Sequence, residues 1–168
     1  MTKNLAWAVI VITAALLQSN WLGRLSVLGA VPDFSVLLVV YFALTEGEER
    51  AMWTGVLGGL FQDVAGSSIL GHHILCLVTI GYVIGRLSSR LLTFHPAVKA
   101  SLVFGAALVN GALYVIIDYV QKPDPNAINL LLTRVVPVAF YTAIVTPLAF
   151  WLLDRIAERF LGTQGGAA

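Results

Sequence analysis

Charge is what this chain has least of. Only 11% of its 168 residues are charged, against about a quarter in soluble domains, too few to cover a water-facing surface of this size. The formal net charge is +1, so there is no basic field to draw in nucleic acid. Cys76 is the single cysteine. It excludes an internal disulfide and, with no metal-ligand spacing around it, reads as inert packing. No HExxH, no phosphate loop and no Ser/His/Asp spacing occurs, which removes the motif-based routes to an enzyme. His72 and His73 are adjacent. Neighbours on a helix point about 100° apart and chelate a metal poorly together, so they read as interfacial residues. No cofactor is implied. Low-complexity tracts, internal repeats and loops long enough to fold outside a membrane are all missing.

Apolar sequence fills the space. The hydrophobic fraction is 58% and the mean hydropathy +0.87. About 20 apolar residues carry a helix across roughly 30 Å of hydrocarbon. By that measure the sequence predicts an all-α membrane protein, a bundle of six transmembrane helices. They run over about 5–22, 25–45, 51–64, 68–87, 97–120 and 128–153, in one domain covering 1–160, with 161–168 a flexible tail. Continuous rather than alternating apolar runs exclude a barrel. Lys3 and the apolar run Leu5–Leu17 look like a signal peptide, but Gln18-Ser19-Asn20-Trp21 offers no small-residue cleavage site, so this is read as a retained first span. The stretch 152–160 extends the last span as an amphipathic segment at the membrane surface.

The third span is short, and the basic residues decide whether it crosses. With six crossings and the N-terminus inside, Lys3, Arg50, Arg86, Arg90, Lys99, Arg155 and Arg159 lie inside and Arg24, Lys122 and Arg134 outside, seven against three. Without that crossing the balance reverses to four against six. The positive-inside rule selects six spans with both termini cytoplasmic.

Two sets of residues stand out within the spans. Gly55 and Gly59, then Gly81 and Gly85, form GxxxG pairs, and Ala107 with Gly111 a weaker one. Four-residue spacing puts each pair on one helix face and lets backbones approach closely, either inside the bundle or against a partner helix. Asp33, Asp63, Asp118 and Arg134 map to one level in the outer half, and ionisable groups are costly in lipid. An Arg134–carboxylate pair is the natural arrangement. The set reads as a structural network, an outward pocket or a partner site, with Gln62, His72, His73 and Asn110 able to join it. Acids at successive depths, as a proton pump needs, do not occur. The tryptophans at 7, 21, 53 and 151 fall near span ends, where interfacial anchors sit. Pro137 and Pro147 predict kinks in the last span, with Thr133, Thr142 and Thr146 placed to satisfy freed carbonyls.

Several of these motifs together resemble a family. Val31-Pro32-Asp33-Phe34-Ser35-Val36-Leu37-Leu38-Val39 is similar to an early proline–acid–apolar signature. Gly55-Val56-Leu57-Gly58-Gly59-Leu60-Phe61-Gln62-Asp63, then Gly66-Ser67-Ser68-Ile69-Leu70-Gly71-His72-His73 and Gly81-Tyr82-Val83-Ile84-Gly85, resemble a glycine-rich helix ending in aspartate, a glycine turn and a glycine–tyrosine helix. These are features of the bacterial rod shape-determining protein MreD family, and the motifs cover 25–90. The resemblance implies an inner-membrane scaffold of the cell-elongation, lateral peptidoglycan synthesis machinery. Its partner would be a bitopic MreC-like protein. Through that protein it would reach the actin-like MreB and the glycosyltransferase–transpeptidase pair. It also implies a fold similar to the substrate-binding subunits of energy-coupling-factor transporters, with an outward pocket. A solute-binding subunit of a small-molecule transporter is the alternative. Pro32, Asp33, Gly55, Gly59, Gln62, Asp63, Gly71, Gly81, Tyr82, Gly85, Asp118 and Arg134 are the candidates for partner or pocket contacts.

Overall fold

A computed structural model describes residues 2–20, 31–66, 71–88, 95–121, 123 and 127–160. The helices are α1 (Thr2–Asn20), α2 (Phe34–Thr45), α3 (Glu48–Gly66), α4 (His72–Ser88), α5 (Pro96–Gln121), the short α6 (Ala127–Leu130) and α7 (Val136–Phe160). A π-helical turn, Leu131–Val135, joins α6 to α7. Among the described residues there are no strands.

The centre of the bundle is α2. Every residue from Ser35 to Ala43 is buried, and α1, α3, α4, α5 and α7 all pack against it. A helix apolar on all sides belongs where other helices surround it. Its start differs from expectation. The sequence reading carried a span from Leu25 through Pro32 and Asp33, but residues 31–33 are not helical and α2 begins at Phe34. Proline restricts the residue before it and has no N–H to give a helix interior, while Asp33 is an N-cap whose carboxylate accepts from the amides of Ser35 and Val36. At its other end, Gly47 at φ +91° donates its N–H to the Phe42 carbonyl and turns the chain into α3.

The hairpin of α3 and α4 is the most extensive helix contact. All four glycines of the GxxxG pairs lie in it. A Cβ on Gly55 would meet the Leu77 backbone at 2.8 Å, one on Gly59 the Ile74 Cα at 2.5 Å, and one on Gly81 the Ala51 backbone at 2.9 Å, while Gly85 abuts Glu48. Of the two roles open to these faces, the structure uses them for packing within the chain. On α5, Gly111 faces Val135 of the π turn in the same way.

The helices Pro96–Gln121 and Ile128–Glu158 are each long and apolar enough to cross a membrane; Asn4–Gln18, Phe34–Thr45 and His72–Ser88 are shorter apolar helices. The π turn sits just before Pro137, and its closing bond runs from the Val136 N–H to the Leu131 carbonyl. Proline at 137 gives no N–H to the carbonyl one turn back, and the wider turn absorbs that misfit. The threonines do not act as expected. Thr133, Thr142 and Thr146 donate to the carbonyls of Asn129, Val138 and Thr142, whereas the prolines free those of Thr133 and Ala143, four residues before each. The last helix is continuous to Phe160. Its end is tied to the bundle by the Tyr41 hydroxyl donating to Asp154 Oδ1 at 2.9 Å and by buried Ala157. The expected tail at 161–168 lies outside the described residues.

Candidate functional site

Polar groups collect at the two ends of the bundle. At one end Arg50 pairs with Glu46 at 2.8 Å and reaches Asn4 on α1, and Arg86 pairs with Glu48 at 3.2 Å. Lys99 sits over the Phe150 ring, and Arg155 over Trp151. We call this the basic pole for its arginines and lysine; Glu46, Glu48, Glu49, Asp154 and Glu158 lie at the same end. Trp7 belongs to it as an internal residue, not the interfacial anchor expected. It is buried, donates its indole N–H to Thr54 at 2.9 Å and lies under the Arg50 guanidinium.

Toward the other end, two acids each complete a helix N-terminus. Asp33 does so for α2. Its carboxylate also accepts from Gln18 Nε2 at 3.2 Å, Gln62 Nε2 at 3.4 Å and Asn110 Nδ2 at 3.3 Å, and its own N–H donates to Thr142 Oγ1 at 3.0 Å. Ser35 joins by accepting from Gln62 Nε2 at 3.0 Å and donating to Gln18 Oε1. Side chains of α1, α3 and α5 thus converge on one carboxylate at the start of α2, and one of α7 takes the N–H of the same residue. Pro32, buried beside it, fixes the approach of the chain. Among the described residues the donors offset the charge with no guanidinium, and the positive end of the α2 dipole adds to them. Two acceptors within this cluster, Gln62 Oε1 and Asn110 Oδ1, are buried without a hydrogen bond.

Asp63 serves α4 from a different helix. Gly71 takes φ +103°, a conformation that favours glycine, and its carbonyl accepts the Leu75 N–H that opens α4. Glycine has no side-chain oxygen for the next amides. Asp63, at the end of α3, supplies one: it accepts from Gly71 N at 2.7 Å and from His73 N at 3.0 Å, and His73 Nδ1 lies 2.8 Å from Oδ1. Its side chain is fully enclosed. His72 is likewise buried rather than interfacial, stacked on Tyr114 at 4.3 Å with Nε2 3.2 Å from the Tyr114 carbonyl.

Sequence reasoning placed Asp33, Asp63, Asp118 and Arg134 together; the structure joins only part of that set. Asp33, Gln62 and Asn110 form one cluster, and Asp63, Gly71 and His73 another beside it. Asp118 and Arg134 are exposed, and among the described residues Arg134 makes no ion pair with any of the three acids. Asp33 accepts from side-chain amides and helix N–H groups, and Asp63 from two backbone N–H groups beside the His73 ring. Tyr82 is also exposed, at 45%, with the Arg86 guanidinium 5.6 Å from its ring. Gln18 and Ser35 were missed. Gln18 interrupts an apolar run near a span end, and the cost of a lone amide in lipid was the available signal. Among the described residues no group of His, Cys, Asp and Glu is arranged to hold a metal ion.

The family model for rod shape-determining protein MreD matches residues 1–155 of the 168. The chain belongs to the MreD family. That assigns it to rod-shape determination and to a family of membrane proteins, with which the apolar helices agree. No curated protein and no solved structure matches the chain. The MreD-like signatures in the sequence now have physical roles. The early proline–acid pair starts the central helix, the aspartate ending the glycine-rich helix caps the next one, and the glycines between them close the hairpin.

Proposed function

We propose that this MreD-family chain is a six-span scaffold of the cell-elongation machinery, with both termini cytoplasmic. It docks a bitopic MreC-like partner and through it supports MreB-guided wall synthesis by the glycosyltransferase–transpeptidase pair. The observation that carries this reading is the family match over 1–155. The basic pole supports the orientation: Arg50, Arg86, Lys99 and Arg155 gather at one end, the end the positive-inside rule puts in the cytoplasm. The bundle around α2 is in keeping with the six-helix architecture of energy-coupling-factor substrate subunits, a fold-level analogy that carries no function by itself. Solute capture gains no such support, because the groups around Asp33 mostly bond one another.

The packing narrows where a partner would touch. Asp33, Gln62 and Asp63 are engaged inside the bundle, and the four GxxxG glycines inside the α3–α4 hairpin. Of the candidate residues, Tyr82, Asp118 and Arg134 remain on the surface, and we assign partner contact to them. The test is gentle detergent extraction of the tagged protein from native membranes, followed by mass spectrometry of what stays bound. An MreC-like bitopic protein in near-equal amounts is expected, with recovery reduced severalfold in Tyr82→Ala and Arg134→Glu at unchanged melting temperature. A retained small molecule with an ATPase module, and no cell-wall protein, would replace the scaffold with a transporter subunit.

A further inference from the structure

The Asp33 carboxylate is loaded unevenly. Oδ1 accepts from the N–H groups of Ser35 and Val36, at 3.1 Å each, and from the side-chain amides of Gln18 and Gln62. Among the described residues Oδ2 accepts only from Asn110 Nδ2, at 3.3 Å. A carboxylate offers about four lone-pair sites over its two oxygens, so Oδ2 keeps accepting capacity on the side of α5. The same carboxylate fixes two amides. Gln62 Nε2 and Asn110 Nδ2 are turned to it, and each amide oxygen hangs from the same carbon as that nitrogen. Turning either amide over would set oxygen against carboxylate, so the Asp33 charge decides the orientation. In consequence Gln62 Oε1 and Asn110 Oδ1 are buried with no hydrogen bond, a costly state for a polar atom. Asn110 as a whole is only 8% exposed.

Three oxygens of one cluster thus have lone pairs to spare, and one of them carries charge. Hydrogen bonds spread that charge but leave its sign, and among the described residues no basic side chain touches the carboxylate. A water molecule would answer the spare lone pairs alone. A cation answers them and the charge together. Hard cations are held by oxygen, and carbonyl oxygens can replace the hydration shell of an alkali ion. A single carboxylate matches a single positive charge. The positive end of α2 faces Oδ1 through the Ser35 and Val36 amides, so Oδ2 is the oxygen where a cation meets least opposition. Burial of both amide oxygens suits a bare ion better than an ammonium carried in on a partner's side chain.

We propose that Asp33 Oδ2, Asn110 Oδ1 and Gln62 Oε1 bind one monovalent alkali cation, sodium or potassium, which ties the start of α2 to α3 and α5. The site needs no partner protein and stands apart from the scaffold reading. The full-length protein, purified in mild detergent and choline chloride, is given radioactive sodium, or radioactive rubidium in place of potassium, and bound ion is measured at equilibrium. Saturable binding of one ion per chain is expected, and the isotope held more tightly assigns the ion. Asn110→Ala and Gln62→Leu should each weaken binding about tenfold, the worth of one contact to a charged group. Glu49→Gln, at an exposed acid on the opposite end of the bundle, should leave it unchanged. The same ion should raise the melting temperature of the unsubstituted protein to a plateau, and more of it should be needed in Gln62→Leu. No saturable binding of either isotope by the unsubstituted protein overturns the proposal and assigns the spare lone pairs to water. Undiminished binding in both cluster variants, or displacement by calcium at lower concentration than by sodium or potassium, overturns it equally.

Discussion

Asp33 and Asp63 show how an acid can be held in an apolar bundle by the start of a helix. Each carboxylate faces the amides that a helix N-terminus leaves unmet, one in its own chain direction and one across a hairpin. Removing Asp63 strands the N–H groups of Gly71 and His73 in a closed site. Asp63→Ala is expected to cost about 1–3 kcal/mol, the penalty for buried donors left without acceptors, read as a lower melting temperature in detergent. Asp118→Ala, on an exposed position, should stay within about 0.5 kcal/mol. Equal losses at the two positions would defeat the distinction between capping and surface acids. The sequence marked both residues as costly in lipid and therefore purposeful. What it could not supply was the partner: an acid and an arginine attract in any pairwise reading, whereas a helix N-terminus becomes a partner only once the helix has a defined start. Trp7 failed for a related reason. Its place near a span end fits an anchor, but Thr54, far off in sequence, captures its N–H.

Helix existence was the part of the fold most legible, because apolar periodicity and length are local. The α3–α4 contact was legible as a pair of faces and ambiguous in its target, since GxxxG says only that something comes close. The answer came from register. The glycines of α3 meet Leu77 and Ile74, those of α4 meet Ala51 and Glu48, and the two sets close one antiparallel seam. Gly59→Ala puts a methyl group 2.5 Å from the Ile74 Cα and should destabilise by about 1–3 kcal/mol through overpacking. Gly105→Ala has open space around it and should gain up to about 1 kcal/mol from helix propensity. Thermal melts of the two variants side by side check both signs. The start of α2 was misjudged because hydropathy runs through Pro32 and Asp33 without a break, although an aspartate just before an apolar run is itself a start signal.

At the scale of the molecule, the charge asymmetry seen in the sequence becomes a physical pole, and it gives the orientation a direct check. Cysteines placed at Ala97 and Pro123, both exposed, mark opposite ends of α5. In intact cells a membrane-impermeant thiol reagent should label Pro123→Cys and spare Ala97→Cys, with native Cys76, buried, silent in both. The reverse pattern would invert the topology, and labelling of both would place the two ends of α5 on one side. A lateral groove between α1 and α7 was not legible at all. It depends on how far two helices distant in sequence stand apart, which no local pattern records.

One feature at the residue scale reaches into biogenesis. The oxygen that finishes α4 belongs to α3, and the amides that satisfy that oxygen belong to the first turn of α4. Entering hydrocarbon alone, α3 would carry a carboxylate deprived of the Gly71 and His73 amides, and α4 would lead with those amides bare. Each is the other's solvent. On the proposed six-span reading, the expected unit of membrane insertion is therefore α3 and α4 together rather than either helix alone.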